Sequence, residues 1–195
     1  VGLLIVAVVL AQVLLMVIHS VRRLEHEKAR HDISLDLLRA RVQTTMVKAG
    51  MAQDRSELSW NGFRKFKIQK KVPEAPGVHS FYLVPHDGKK LPPFEPGQYL
   101  TFQLKLPNET KPVIRCYSLS DTPIDPDHYR VSIKKVPPPR DKPELPPGRS
   151  STFFNEILKE GDILDVKAPS GHFFMDMNKA TPVVLIGGGI GITPV

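Results

Sequence analysis

The stretch VIRCYSLSD, residues 113–121, packs an arginine, a tyrosine, two serines and the chain's single cysteine between apolar flanks. Such a run predicts a strand that pairs into a sheet. Alternation along a strand then projects Arg115 and Tyr117 to one face and Cys116 to the other. Cys116 is accordingly read as a packed core thiol.

The Arg–Tyr face has a chemical logic. A guanidinium presents a planar fork that grips a phosphate in bidentate fashion. A neighbouring tyrosine supplies a flat surface for ring stacking and a polar tip. Ser118 adds a hydroxyl that both donates and accepts, provided the strand ends or kinks there. Ser120 and Asp121 follow as turn formers. Phosphate grip, aromatic plate and small hydroxyl match the demands of a flavin nucleotide. An edge strand carrying an ornamental Arg–Tyr pair accounts for the same residues.

Working outward, short alternating runs surround this stretch. They are FKIQKKV (66–72), HSFYLV (79–84), YLTFQLKL (99–106), YRVSIKKV (129–136) and DILDVKA (162–168). Pro- and Gly-rich loops separate them, at 85–97 and 137–148. Several short strands with turn signals between them predict an antiparallel sandwich or barrel, a mainly β soluble part spanning residues 59–178. One helix interrupts it, SSTFFNEILKEGD at 150–162, with Ser150 or Ser151 as its cap and Gly161 at its end. Phe153, Phe154, Phe173 and Phe174 are expected in the core. The run PVVLIGGG (182–189) reads as a buried parallel strand entering a Gly-rich turn, the start of an α/β nucleotide domain over 179–195. Because that domain would be unfinished, the chain is expected to be a fragment.

Two further features point to phosphates. Gly148 and the serine pair open a helix, where free backbone N–H groups favour an anion. Gly189 and Gly191 lie in a turn after an apolar strand, with Pro194 where the full dinucleotide pattern has a third glycine.

At the other end, VGLLIVAVVLAQVLLMVI (1–18) is apolar except for Gln12, and Arg22 and Arg23 follow. The length and the charge placement predict a transmembrane helix over 1–20, single-pass in a cell inner membrane with the barrel in the cytoplasm. Residues 21–58 carry Leu24, His31, Leu35, Leu38, Val42 and Met46 at helical spacing, which predicts a helical stalk that could pair with a partner helix. His19, His26 and His31 are read as solvated, not as haem ligands. A net charge of +7 arises from scattered basic residues without zinc or helix-turn-helix spacing, so no nucleic-acid partner is expected; the charge suits an anionic membrane surface or an acidic protein partner, and membrane lipid is expected at the N-terminal helix. One cysteine excludes an internal disulfide framework and a Cys-ligated cluster, and no metal site is expected.

In order, PGQYL, RCYSLSD, YRVSIKK, APSGHFFM and PVVLIGGGIGITP resemble the ferredoxin–NADP reductase-like superfamily, and within it the reductase half of flavohaemoglobins and related bacterial flavin oxidoreductases. The likeness covers residues from about Trp60 to Val195. It implies a six-stranded antiparallel Greek-key barrel that binds FAD, with an NAD(P)H domain after it. It also implies roles: Arg115 on the pyrophosphate, Tyr117 stacked on the flavin, Ser118 near its N5, and Tyr99 close by. Ile133 and Lys134 would border the cofactor, and Gly148, Ser150, Ser151 and Thr152 would form the phosphate loop. Thr152 replaces the family's usual Asn there. Gly189, Gly191, Thr193 and Pro194 match the nicotinamide turn. The flavin would carry the chemistry, with no catalytic acid, base or nucleophile, and would pass electrons from NAD(P)H to an unidentified iron–sulfur, haem or quinone acceptor. FAD is favoured over the FMN that some relatives use. A flavin-holding regulatory or scaffold module without turnover is the alternative. A membrane helix and stalk stand where a flavohaemoglobin has its globin.

Overall fold

The structure, a computed structural model, describes residues 2–107, 109–124, 126–175 and 182–194; of residues 3–11, 13 and 29 it describes the backbone only. The chain divides into two compact units, 1–50 and 51–195.

The first unit is helical. Helix α1 runs without interruption over Gly2–Leu58, where Pro is absent and the first Gly after Gly2 is Gly50. Its side chains are exposed wherever they are described before Gly50. Among the described residues, no helix is long and apolar enough to cross a membrane. Most side chains of the apolar run 1–18 lie outside the described residues, and the structure lends the expected anchor no support.

The second unit is built on six antiparallel strands: β1 Arg64–Ala75, β2 Val78–Pro85, β3 Tyr99–Leu104, β4 Val113–Ser118, β5 Tyr129–Lys134 and β6 Ile163–Val166. Their order across the sheet is β4-β3-β6-β1-β2-β5. The edges β4 and β5 meet just beyond β4, where Leu119 bridges Val131 and the Ser120 N–H donates to the Arg130 carbonyl at 3.0 Å. The sheet therefore curls until its two edge strands meet at this one bridge, a partly open barrel. Alternation fills the interior: Phe66 and Ile68, Phe81 and Leu83, Leu100 and Phe102, Val131 and Ile133, Leu164 and Val166 are all buried. Register irregularities in β1 between Ile68 and Lys70, and between Pro73 and Ala75, bend that long strand around its two neighbours. Tyr129 enters the core because its hydroxyl donates to the Pro92 carbonyl at 2.7 Å, and burial raises its phenol well above the ordinary value.

Helix α2, Arg149–Thr152, continues into a π-helical turn at Phe153–Ile157 that drives Phe154 into the core. Neither Ser150 nor Ser151 caps it. Gly148 is the N-cap, and it makes no side-chain cap hydrogen bond.

Two expectations fail near the C-terminus. Residues 182–188 form no strand; only a 3₁₀ turn, Gly189–Ile192, follows, and Val184 and Ile186 are 83% and 86% exposed. A parallel strand needs ladder partners, and no described segment pairs with it. Phe173 and Phe174 are exposed as well: Ser170 makes the last strand pairing, with Tyr99, and the Phe173 backbone beyond it lies against Gly97 while its side chain faces outward. The boundary expected at 178/179 lies outside the described residues.

Candidate functional site

Strand β4 pairs with β3 so that Tyr117 faces Leu100 and Arg115 faces Phe102. Leu100 and Phe102 point into the barrel, so the Arg–Tyr face is the core-side face of β4. Cys116, opposite Thr101, is on the outer face. That overturns the packed-thiol reading: Cys116 is exposed, its sulfur 3.5 Å from Thr101 Oγ1. Alternation placed it opposite Arg115, but register decides which face is inside.

A charged core-side residue is tolerable because the barrel is open there. Below the Leu119–Val131 bridge no ladder joins β4 to β5 among the described residues, and the gap forms a groove of about 530 Å³. Tyr117 forms part of the groove's inner wall. Its ring packs edge-on against Phe154 at 5.1 Å and Phe102 at 5.8 Å. Burial raises its phenol, and the positive charge of Arg115 partly opposes that. The exposed Arg115 guanidinium has one recorded hydrogen bond among the described residues, Nη1 donating to the Ile114 carbonyl at 2.7 Å. Most of its N–H donors are therefore available.

The far wall is a tight corner between β5 and α2. The Gly148 N–H donates to the Val136 carbonyl at 2.9 Å. A Cβ on Gly148 would fall 2.9 Å from both Val136 Cβ and Ser151 Oγ, so only glycine fits. Ser151 Oγ donates to the Gly148 carbonyl at 2.9 Å and accepts from the Val136 N–H at 3.1 Å. Asn155 Nδ2 donates to the Ser151 carbonyl at 2.8 Å and to the Ile133 carbonyl at 3.3 Å, tying helix to strand. Ser151 thus uses its hydroxyl to hold the corner. Ser150 differs: its Oγ is buried without a partner. A buried hydroxyl left unpaired is costly, and it marks a position where a ligand acceptor or donor would be stabilising.

The groove brings together Arg115, Tyr117, Ser118, Ile133, Lys134, Gly148, Ser150, Ser151, Gly191, Thr193 and Pro194. Three expected residues stand outside its lining. Tyr99 exchanges backbone bonds with Ser170 at 2.9 and 3.0 Å and lays its ring over Gly171. Thr152 borders a separate cleft with Leu106 and Pro146, and its buried Oγ1 also has no recorded partner. Gly189 lines an adjoining cavity of about 790 Å³ that shares Ser132, Lys134 and Thr193 with the groove. Cys116, Ser132, Val136, Arg149 and Ile190 line the groove without having been expected. Ser132 was legible, since alternation places it on the face of Lys134. Val136 and Arg149 follow only from the corner's geometry.

A small polar cluster pins the turn after β4. Asp121 Oδ2 lies 3.1 Å from His128 Nε2 and 3.7 Å from Arg130 Nε, and an Arg130 Nη2–H donates to the Ser120 carbonyl. Burial would raise the Asp121 carboxyl, but the Thr122 N–H, His128 and Arg130 together hold it below the ordinary value.

Comparison with known proteins identifies the family and the fold. The family model of the oxidoreductase FAD-binding domain matches residues 65–175. A flavohemoprotein of Bacillus thuringiensis is 46% identical over 138 residues, 71% of this chain and 33% of the relative. One from Bordetella pertussis is 39% identical over 135 residues, 69% of this chain and 32% of the relative. The chain thus spans about a third of the curated relatives it matches. Among solved structures, the flavohem-like FAD/NAD binding domain of nitric oxide dioxygenase from Vibrio cholerae superposes with a TM-score of 0.61 at 35% identity, over 69% of this chain and 54% of that one. Phthalate dioxygenase reductase, described as transferring electrons from pyridine nucleotides to [2Fe-2S], gives 0.56 at 34%, over 69% and 37%.

Proposed function

Because this chain belongs to the family of oxidoreductase FAD-binding domains, we propose that it is the flavin-holding part of a flavoprotein that takes electrons from NAD(P)H. The observation that carries the reading is the groove between β4 and β5, where a largely unbonded guanidinium, a braced aromatic ring and an unpartnered buried hydroxyl share one lining.

The residues present fit FAD. Arg115 has donors for a pyrophosphate. Tyr117, supported from behind by Phe102 and Phe154, offers a fixed plate for ring stacking. Ser118, at the end of the same strand, is suited to a hydrogen bond near the flavin N5. Ser150 Oγ fits a phosphate oxygen, while Ser151 and Gly148 fix the corner that presents it. Ile133 and Lys134 border the same space, and Tyr99 and Thr152 act through the backbone around it. When bound, a flavin accepts an electron pair from a nicotinamide and releases electrons singly. The chain's own contribution is to bind, orient and exclude water. Gly191, Thr193 and Pro194, at one margin of the groove, and Gly189, in the adjoining cavity, are the residues we assign to the nicotinamide nucleotide. The electron acceptor is a separate protein or domain. A membrane anchor over 1–20, with the barrel in the cytoplasm, is supported by the apolar run and by Arg22 and Arg23. Protease treatment of intact spheroplasts tests it: cleavage of the barrel from outside reverses the orientation.

For the activity, the purified full chain is loaded with FAD and mixed anaerobically with NADH or NADPH. Bleaching of the flavin absorbance is expected. Bound flavin that neither nucleotide bleaches would leave a flavin-holding module without turnover.

A further inference from the structure

Helix α1 carries a seam that the flavin reading leaves unused. From Val21 onward, side chains spaced alternately three and four apart are Val21, Leu24, Lys28, His31, Leu35, Leu38, Val42 and Thr45. This is the spacing of a seven-residue repeat in which two positions face a partner helix. Its apolar members are exposed: Val21 49%, Leu24 65%, Leu35 38%, Leu38 59% and Val42 47%. A lone helix would leave that stripe in water at a cost that pairing removes.

The polar members say which partner. Lys28 and His31 interrupt the seam in a single repeat, and each has an acid beside it on the flank, Glu27 before Lys28 and Asp32 after His31. In a parallel, in-register pair of helices, a knob at the Lys28 position enters a hole that includes the partner's residue at position 27. A knob at the His31 position enters a hole that includes the partner's residue at position 32. Two copies of this chain so arranged give each Lys28 an acid and each His31 another, and the acids offset the layer in which the two Lys28 side chains meet. In the antiparallel arrangement Lys28 would instead meet the Arg39 and Arg41 region. Among the described residues, Glu27 is held within its own helix by an exposed contact from Arg23 at 3.4 Å, a pair weak enough to exchange. A parallel pair also keeps both N-termini on one side, as two anchors in one membrane require.

We propose that residues 21–45 of α1 pair with the same residues of a second copy of this chain in a parallel, in-register two-stranded coiled coil. The pairing brings two flavin barrels to one stalk, and it stands whether or not the flavin reading holds.

The test uses the full chain in detergent. Sedimentation equilibrium is expected to give a dimer. K28E should raise the dimer dissociation constant about tenfold, since two symmetry-related attractions are lost and two like-charge repulsions replace them. E27K/K28E, which exchanges the charges, should restore it to the parent value. In a C116S background, L35C should form an intermolecular disulfide on mild oxidation, because seam positions bring Cα atoms within disulfide reach. I33C, on the opposite face, should not. A monomer at micromolar concentration overturns the proposal. So does cross-linking through I33C as fast as through L35C, which would place the partner on the Ile33–Leu37–Val47 face. Failure of the charge exchange to rescue K28E would overturn the parallel register.

Discussion

Strands β4 and β5 flank the same groove, yet they are built on different principles. In β5 every second residue is buried: Tyr129, Val131 and Ile133. In β4 no residue is buried, and Ile114, Arg115 and Cys116 are exposed. β5 closes the barrel over its core, while β4 turns its core-side face toward an open gap. The difference teaches that the barrel's stability resides chiefly in β5 and its neighbours, and that β4 can carry an arginine on the inner side because its guanidinium faces the groove.

The largest effect should separate two isoleucines. Ile133→Ala removes a side chain that is 1% exposed and should cost about 2–5 kcal/mol of unfolding free energy. Ile114→Ala, at 46% exposure, should stay within about 0.5 kcal/mol. Urea unfolding of the two variants checks the contrast, and equal losses would mean β4 is as structural as β5.

A smaller effect should separate two adjacent serines. Ser151→Ala removes a hydroxyl that holds both the Val136 N–H and the Gly148 carbonyl, and should destabilise the barrel without ligand by about 1–3 kcal/mol. Ser150→Ala removes a hydroxyl with no partner and should leave the unliganded barrel as stable as before or more so. With FAD present the order reverses in binding: Ser150→Ala should weaken affinity by about three- to tenfold, the value of one hydrogen bond. Thermal shifts with and without FAD distinguish the two serines.

The smallest effect lies in the turn that joins the strands. Asp121 is held below the ordinary carboxylate value in the folded chain. Its stabilising contribution is complete above the unfolded value of about 3.9, and fades as pH falls below that toward the lowered folded value. Asp121→Asn should therefore reduce stability near neutral pH and flatten its decline on the acid side of that window. An unchanged acid limb would show that the cluster with His128 and Arg130 contributes nothing.

The sequence revealed the parts that alternate. β3, β5 and the core residues Phe102, Val131 and Ile133 follow from period two, and Arg115, Tyr117 and Ser118 were recognisable as a chemical set. It did not reveal which face of β4 is inside. Register against β3 settles that, and so Cys116 was misplaced. Nor could apolar content distinguish Phe154, driven inward by a π-helical turn, from Phe173 and Phe174, which follow the last pairing to β3. The run 182–188 has the composition of a strand but lacks a partner among the described residues. The division of labour between Ser150 and Ser151 depends on hydrogen bonds that no local pattern specifies.

The most direct test of the groove is a titration of the full chain with FAD, followed by quenching of flavin fluorescence, for the parent, Arg115→Ala and Ile114→Ala. The parent and Ile114→Ala should saturate at one FAD per chain with equal affinity. Arg115→Ala should bind more weakly by about 1.5–3 kcal/mol, the loss of a charge-assisted hydrogen bond. Equal affinity of Arg115→Ala and the parent, or no saturable binding in either, would contradict the assignment of the β4–β5 groove as the flavin site.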